Sequence, residues 1–538
     1  MVWFINYNKN NIKDVNLPSK EISRKFSLQK DRKKSWIVYS FICFLIIFNI
    51  ICLSSLVFKQ TSTWLIFQLK SRYTDDIILE PRISFLNTTS DYYLSFTIDA
   101  WQLREMNNLP ISNKKLINLA RHLSPAYVRY GGTSADCLFF NETLNESKKM
   151  ISPVNGEDIS KFSISEKDFQ SLYEFSKNSN LKMIFDLNAL IRKQDGSWDD
   201  TNAKKIIQFA RKWKMNIDWQ LGNEPPNFPL LFNVTIPAEQ LARDYCHLRS
   251  LLNSLGYKKN ILVGPEVNQV GGPSFNGENY TRIFLENSKE STNYVTWHQY
   301  YLRGEDAHFN DFINASTFNY LPYLIKSMQT AIDKSGNKIP MWLSETSTAF
   351  DRGAPGISDR FIAGFLWLDK LGYSAKAGIK VIIRQTLIGG NYGMISSDLT
   401  PNPDWWISVI YKNFVSNQIL QISTKNNFGN TRLYCHCTPE KIFPNSITIF
   451  GVNINEKSIR LSLENISIFS KSKISLYILT ADNLLSRSIK MNGKVLNLLK
   501  NGDLPSFTPI SHENEKIITL PAYSMIFIII QNVSIPIC

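Results

Sequence analysis

Trp219-Gln220-Leu221-Gly222-Asn223-Glu224-Pro225-Pro226 decides how the chain is read. An apolar, strand-like run ends in a carboxylate, and two prolines follow at once. Proline cannot continue a ladder of backbone hydrogen bonds, so Glu224 belongs where a strand gives way to a loop. A second stretch, Met341-Trp342-Leu343-Ser344-Glu345-Thr346, has the same form. In a parallel α/β barrel the C-terminal rim of the strands carries the chemistry. Two carboxylates at two such ends are what cleavage of a glycosidic bond requires: one acid for the leaving oxygen, one base or nucleophile for the sugar.

Working outward, short apolar runs alternate with stretches of helical period. Strands are expected at Leu94–Ile98, Ala126–Arg129, Met183–Leu187, Asp218–Leu221, Ile261–Val263, Tyr294–His298, Met341–Ser344 and Lys380–Arg384. Between them, apolar residues recur every three or four positions, as in Ala203–Trp213 and Ala238–Leu255. A helix is expected at Ser358–Leu371 before the eighth strand, with Ser358 and Asp359 as its caps. Eight strand–helix units over roughly 310 residues predict an α/β fold, a (β/α)8 TIM barrel spanning 94–416. From 417 to 538 no long helical period appears, and short strands with polar connectors predict an appended all-β sandwich. Residues 59–93 read as a spacer whose strand near Ile77–Phe85 joins that domain.

Trp36 to Phe58 has no charged residue and is long enough to cross a bilayer. Lys30, Arg32, Lys33 and Lys34 precede it, which puts residues 1–35 on the cytosolic side. An uncleaved signal-anchor is expected, with a cleaved signal peptide as the alternative. Both send the remainder into the secretory pathway, as a membrane-anchored lumenal enzyme or a secreted or lysosomal one. Sequons at Asn87, Asn141, Asn145, Asn233, Asn279, Asn314, Asn465 and Asn532 all lie downstream of that run.

Nine Lys/Arg against three Asp/Glu lie in the first 34 residues, so +6 of the formal +14 is carried there. The excess is partly a tail and no nucleic-acid motif accompanies it, so no nucleic-acid partner is expected. The remaining basic bias suits an anionic polysaccharide. With six His and no Cys/His spacing suited to zinc, no metal site is expected. Seven cysteines are too few for a disulfide scaffold; one bridge from Cys538 to Cys437 or Cys435 fits.

At the rim, Glu224 is the expected acid and Glu345 the expected nucleophile, the latter held ionised by donors such as Arg384 and Tyr300. Asn223 is set to bond a sugar hydroxyl near the anomeric carbon. His298, in Trp297-His298-Gln299-Tyr300-Tyr301, suits carboxylate orientation or sugar stacking, while Trp297 reads equally as core. Asp99 and Thr133 follow the first two strands. Gly389-Gly390-Asn391-Tyr392 follows the eighth, where glycine lets backbone approach a ligand.

Together, Gln220–Pro225, Val295–His298 with Tyr300-Tyr301, and Trp342–Ser347 resemble the heparanase family. Gly353-Ala354-Pro355, Trp367–Gly372, Ser124–Tyr127 and Gly131–Thr133 extend the match. The resemblance implies a retaining endo-β-D-glucuronidase of heparan sulfate without metal or organic cofactor. It implies Glu224 as proton donor and Glu345 as nucleophile. It implies sugar contacts at Asp99, Thr133, Asn223, Gln269, Tyr300, Gly390 and Tyr392, and a Cys437–Cys538 disulfide. The chain departs from the family pattern at Trp101, at the uncharged Gln269–Ser274, and at Asp351-Arg352, where Arg352 is a candidate cation for a uronate carboxylate. Two other readings stand beside this one: a glucuronidase for another uronic-acid glycan, and a non-catalytic relative that binds heparan sulfate.

Overall fold

The structure is a computed structural model. It describes residues 73–78, 83–144, 158–268, 270–271, 276–423, 429–463, 472–513, 517–533 and 535–538. The expected membrane segment 36–58, Gln269 and the sequons at Asn145 and Asn465 lie outside the described residues. Among the described residues no helix is long and apolar enough to cross a membrane.

Eight parallel strands build the barrel: β1 (Leu94–Asp99), β2 (Tyr127–Gly131), β3 (Lys182–Leu187), β4 (Ile217–Leu221), β5 (Val263–Val267), β6 (Tyr294–Gln299), β7 (Met341–Thr346) and β8 (Val381–Arg384). The order β4-β3-β2-β1-β8-β7-β6-β5 runs around the sheet, and a parallel bridge from Trp219 to Leu262 joins its two edges. The helices after each strand are α1 (Lys114–Arg121), α2 (Glu166–Asn178), α3 (Thr201–Lys212), α4 (Ala238–Ser254), α5 (Gly277–Asn287), α6 (Ala315–Lys334), α7 (Ala363–Lys376) and α8 (Pro403–Phe414). This is the TIM-barrel order.

Strand side chains alternate between the barrel interior and the helix layer. Tyr127, Ile184, Val263, Trp342, Val381 and Ile383 share one apolar cluster of their own. Val128, Phe185, Trp297 and Ile382 join the larger cluster with the helices. Trp297 is therefore core, completely buried. Two irregularities interrupt the alternation. The pairing register slips in β5 between Gly264 and Val267, and in β7 between Leu343 and Glu345. Bulges of this kind re-aim side chains at the rim of a sheet.

The C-terminal region adds β9 (Gln418–Gln421), β10 (Thr431–Cys437), β11 (Ile447–Asn453), β12 (Ser458–Ser462), β13 (Lys473–Thr480), β14 (Ile517–Leu520) and β15 (Ser524–Ile530). The strand Ser84–Thr88 pairs with β9, and Tyr73–Ile78 pairs with β12, so two sheets receive chain from before the barrel. Leu433, Ile449, Ile528 and Leu476 of the larger sheet share an apolar cluster with Ile77, Leu461 and Leu520 of the smaller. Alternate residues Tyr434, Phe450 and Phe527 turn the other way, into the cluster that contains α7 and α8. Phe527–Ile530 is buried on both faces, which explains its unbroken apolar run. Cys437 is joined to Cys538.

The helix reading over Ser358–Leu371 needs correction. α7 starts at Ala363. Ser358 instead bonds the Thr348 hydroxyl and accepts from the Ala354 N–H, and Asp359 pairs with Arg360 and Arg487. These polar side chains fasten the turn before the helix rather than its first residue.

α7 also carries glycine where the larger sheet comes closest. A Cβ on Gly372 falls 2.0 Å from the Tyr434 ring, and the Tyr434 hydroxyl donates to Asp369 at 2.7 Å on the same helix. Gly372→Ala should therefore destabilise the protein by about 1–3 kcal/mol, because overpacking outweighs the gain of roughly 1 kcal/mol in helix propensity. Urea denaturation compared with the parent measures it.

Candidate active site

Glu224 leaves the end of β4 in a left-handed conformation, φ 54°, ψ 56°. Gly222 two residues earlier turns the chain at φ 78°, where a Cβ would strike Ala189 at 2.7 Å. The Glu224 N–H donates to the Glu266 carbonyl at 2.9 Å across the β4–β5 edge. Its carboxylate accepts from His298 Nδ1 at 2.8 Å and from Asn227 Nδ2 at 2.9 Å. The β7 bulge turns Glu345 toward the same mouth. One Glu345 oxygen accepts from the Tyr300 hydroxyl at 2.8 Å, the other from Arg129 at 2.8 Å. A carboxylate oxygen of Glu224 and one of Glu345 lie within 4.8 Å of each other. Both line a cleft of about 180 Å³.

Two residues that the sequence reading missed organise this pair. Arg129 on β2 is completely buried and spends its whole guanidinium here. It donates to Gln220 at 2.9 Å, Asn223 at 2.8 Å, Glu345 at 2.8 Å and Glu266 at 3.3 Å. Glu266, on the β5 bulge at φ 57°, is a third carboxylate, also completely buried. It accepts from His298 Nε2 at 2.9 Å and from the Ser344 hydroxyl at 2.8 Å. Burial alone would raise the carboxyls of Glu345 and Glu266. The charges of His298 and Arg129 overcome it, and both are held below the ordinary carboxylate value. Burial opposes the charge on His298, but Glu345, Glu224 and Glu266 around it raise its pKa to about 10.

Glu224, His298 and Glu345 present ligand atoms close enough together for a metal ion. The donor set argues for protons instead. Both ring nitrogens of His298 face carboxylates, so both carry N–H, and a protonated imidazole has no lone pair to give a metal. Arg129 supplies the remaining positive charge.

The other expected residues divide. Asp99, Thr133, Asn223, His298, Tyr300, Arg352 and Tyr392 line the cleft. Gly390, at φ 64°, lies beside it, with space for a Cβ closed by the Tyr392 ring and the Arg352 carbonyl. His298 is only 1 % exposed, so it orients carboxylates and offers no face for stacking. Arg384 is a correction. It lies on the same side of β8 as Ile382, packs over Trp367 at 5.5 Å and pairs with Asp404 at 2.6 Å in the helix layer. The arginine that donates to Glu345, beside the expected Tyr300, is Arg129. Gln385, one residue on, faces inward and donates to Asp99 in the cleft. Of the sequons, Asn141, Asn233, Asn314 and Asn532 are exposed, and Asn279 is half-buried on α5. Asn87 lies within a strand with its amide nitrogen toward the Ala375 and Lys376 carbonyls.

Below the rim, Asp136 accepts from the N–H groups of Asn223 and Ala189, both at 2.8 Å, and so fixes the turn that presents Asn223. Burial nevertheless lifts Asp136 to about 7 and lifts its neighbour Asp186 well above the carboxylate range.

Arg129→Met leaves buried Glu345 and Glu266 without their shared cation and should cost about 3–5 kcal/mol in a urea titration. For pH, the folded forms of Asp136 and Asp186 bind protons more tightly than the unfolded chain, whose carboxyls titrate near 3.8. Both contributions are complete below that value; that of Asp136 is lost as pH rises toward about 7, and that of Asp186 as pH rises through its own raised value. Glu345 and Glu266 act oppositely, contributing above their ordinary value of 4.5 and losing it as pH falls further. The melting temperature should therefore decline between roughly pH 5 and pH 7, and Asp136→Asn should flatten that decline in a thermal scan series.

Residues 85–372 match the glycosyl hydrolase family 79 N-terminal domain. The chain is 32 % identical over 499 residues to a heparanase of Bos taurus, covering 84 % of this chain and 91 % of that protein. It is 30 % identical over 461 residues to a hyaluronoglucuronidase of Hirudo nipponia, covering 80 % and 91 %. Among solved structures, a 4-O-α-L-rhamnosyl-β-D-glucuronidase from Fusarium oxysporum superposes with a TM-score of 0.63 at 14 % identity, covering 84 % and 99 %, which speaks to the fold alone. The match spans more than half of the chain and includes the strands that carry both Glu224 and Glu345: this protein is a glycoside hydrolase and belongs to family 79.

Proposed function

We propose that the protein is a retaining endo-β-D-glucuronidase that cleaves heparan sulfate or a related glucuronic-acid glycosaminoglycan, with Glu345 as nucleophile and Glu224 as acid/base. The observation that carries this reading is the approach of Glu224 and Glu345, whose nearer oxygens lie within 4.8 Å. Retaining enzymes hold their two carboxyls about 5–5.5 Å apart, whereas inverting ones leave roughly 6.5–9.5 Å for a water.

The charges support the division of roles. Three carboxylates face two cations, Arg129 and protonated His298, so one added proton balances the cluster. Glu345 and Glu266 are both held ionised. Among the described residues no arginine contacts Glu224, and its side chain is the most exposed of the three at 19 %. Its access to the cleft suits the carboxyl that meets the leaving oxygen. Glu345 attacks the anomeric carbon as the glycosidic C–O bond breaks, and the leaving oxygen takes the Glu224 proton. In the second half, Glu224 removes a proton from water, the hydroxyl joins the anomeric carbon, and Glu345 departs as carboxylate.

The substrate class is supported by the two relatives, a heparanase and a hyaluronoglucuronidase. One observation favours a weakly sulfated chain as a second reading: among the described residues lining the cleft, Arg352 is the only Lys or Arg. The uncharged run 36–58, the exposed sequons and the Cys437–Cys538 bond support synthesis through the secretory pathway with a lumenal or extracellular catalytic domain.

Full-length protein incubated with heparan sulfate and, separately, hyaluronan should yield shortened fragments from one of them, and the first product should keep the β configuration by NMR. Glu224→Gln and Glu345→Gln should each lower kcat by at least about 100-fold while the protein stays folded by circular dichroism. Turnover within about tenfold of the parent in either variant, or an inverted first product, contradicts the assignment.

A further inference from the structure

Arg352 stands in left-handed backbone, which glycine adopts most easily. Asp351 and Arg352 have φ of 56° and 65°, and Gly353 follows at 83°. Left-handed backbone disfavours L side chains, least for Asp and strongly for a long one such as Arg. The chain keeps both side chains there, and its neighbours hold the conformation in place. The Arg352 carbonyl accepts from the Asn391 N–H at 2.7 Å, and the Gly353 carbonyl accepts from the Asn391 side chain at 3.1 Å. Strain that the surroundings maintain is a reason to look for a function.

The side chains show which one. The Arg352 guanidinium lies over the Trp101 ring at 5.3 Å, and both line the cleft beside Glu224 and Glu345. Asp351 would cancel an adjacent cation, but it is engaged elsewhere: it accepts from Arg303 Nε at 2.9 Å. The short strands Leu302–Arg303 and Ala349–Phe350 pair directly, which sets Arg303 beside Asp351. Among the described residues no carboxylate pairs with the Arg352 guanidinium. Outside the balanced cluster of Glu224, His298 and Glu345, the cleft walls carry Asp99 and Asp351, which repel an anionic sugar unless a cation meets it.

We propose that Arg352, seated on Trp101, binds the carboxylate of the uronic acid in the cleft, and that Arg303 is a positioning residue that keeps Asp351 from neutralising it. This rests on the glucuronidase reading above and names the group that selects its substrate. Guanidinium and carboxylate match as a two-point fork, and stacking on an indole leaves the guanidinium edge available to donate.

The test uses full-length protein and one glucuronic-acid oligosaccharide in two forms, native and carboxyl-reduced. Arg352→Gln should raise KM for the native form about 10- to 100-fold with kcat within about threefold, and should change the reduced form by less than about threefold. Trp101→Leu should shift the native KM in the same direction by less. Arg303→Gln should also raise the native KM, and adding Asp351→Asn to that variant should restore it. Equal losses on both forms, or no change on either, overturn the role of Arg352. Failure of Asp351→Asn to rescue overturns the role of Arg303. A dependence that follows sulfation instead of the carboxyl group assigns Arg352 to sulfate and overturns the proposal. A parent that cleaves no glucuronide overturns the glucuronidase reading and this proposal with it, whereas cleavage with an unaltered KM in Arg352→Gln overturns this proposal alone.

Discussion

The buried guanidinium of Arg129 is the interaction on which the rest of the site depends. It reaches Gln220 on β4, Asn223 beyond it, Glu266 on β5 and Glu345 on β7 from a position on β2. A completely buried arginine is tolerable only when each N–H finds an acceptor and its charge finds an anion. Here the anions are a structural carboxylate and a reactive one. Arg129 thus lowers the cost of burying Glu345 and keeps it ionised, while the β-barrel holds four strands at the separation that the planar donor group demands.

Around that contact the fold uses departures from regularity. Bulges in β5 and β7 turn Glu266 and Glu345 inward where strict alternation from Val263 and Trp342 would send both toward the helix layer. Glu224 occupies left-handed backbone. His298 ties the results together by donating to Glu224 from one nitrogen and to Glu266 from the other. The reactive pair is therefore fixed from behind, and the cleft face of each carboxylate is left for the sugar.

Much of this was legible in the sequence because Glu224 and Glu345 each end an apolar run, and such ends lie on one rim of a parallel barrel. Glu266 was not legible: Gly264-Pro265 reads as a strand breaker, so the expected strand ends at Val263, three residues before the carboxylate. Arg129 looked like the polar end of a strand, since nothing local shows that its acceptors come from three other strands. Arg384 was misplaced for a related reason. Val381, Ile382 and Ile383 are apolar without alternation because both faces are covered, so the pattern could not say which face the next residue takes. The cap residues Ser358 and Asp359 had the right chemistry for a helix start, and tertiary partners claimed them.

The central claim is that Glu345, held ionised by Arg129 and Tyr300, forms the covalent bond to the sugar. The most direct measurement is mass spectrometry of the protein after reaction with a 2-deoxy-2-fluoro-β-glucuronide that traps a glycosyl-enzyme. The account predicts one added glycosyl unit, mapped by peptide fragmentation to Glu345. An adduct on Glu224 or Glu266, or turnover of the reagent with no adduct and an inverted product, would contradict it.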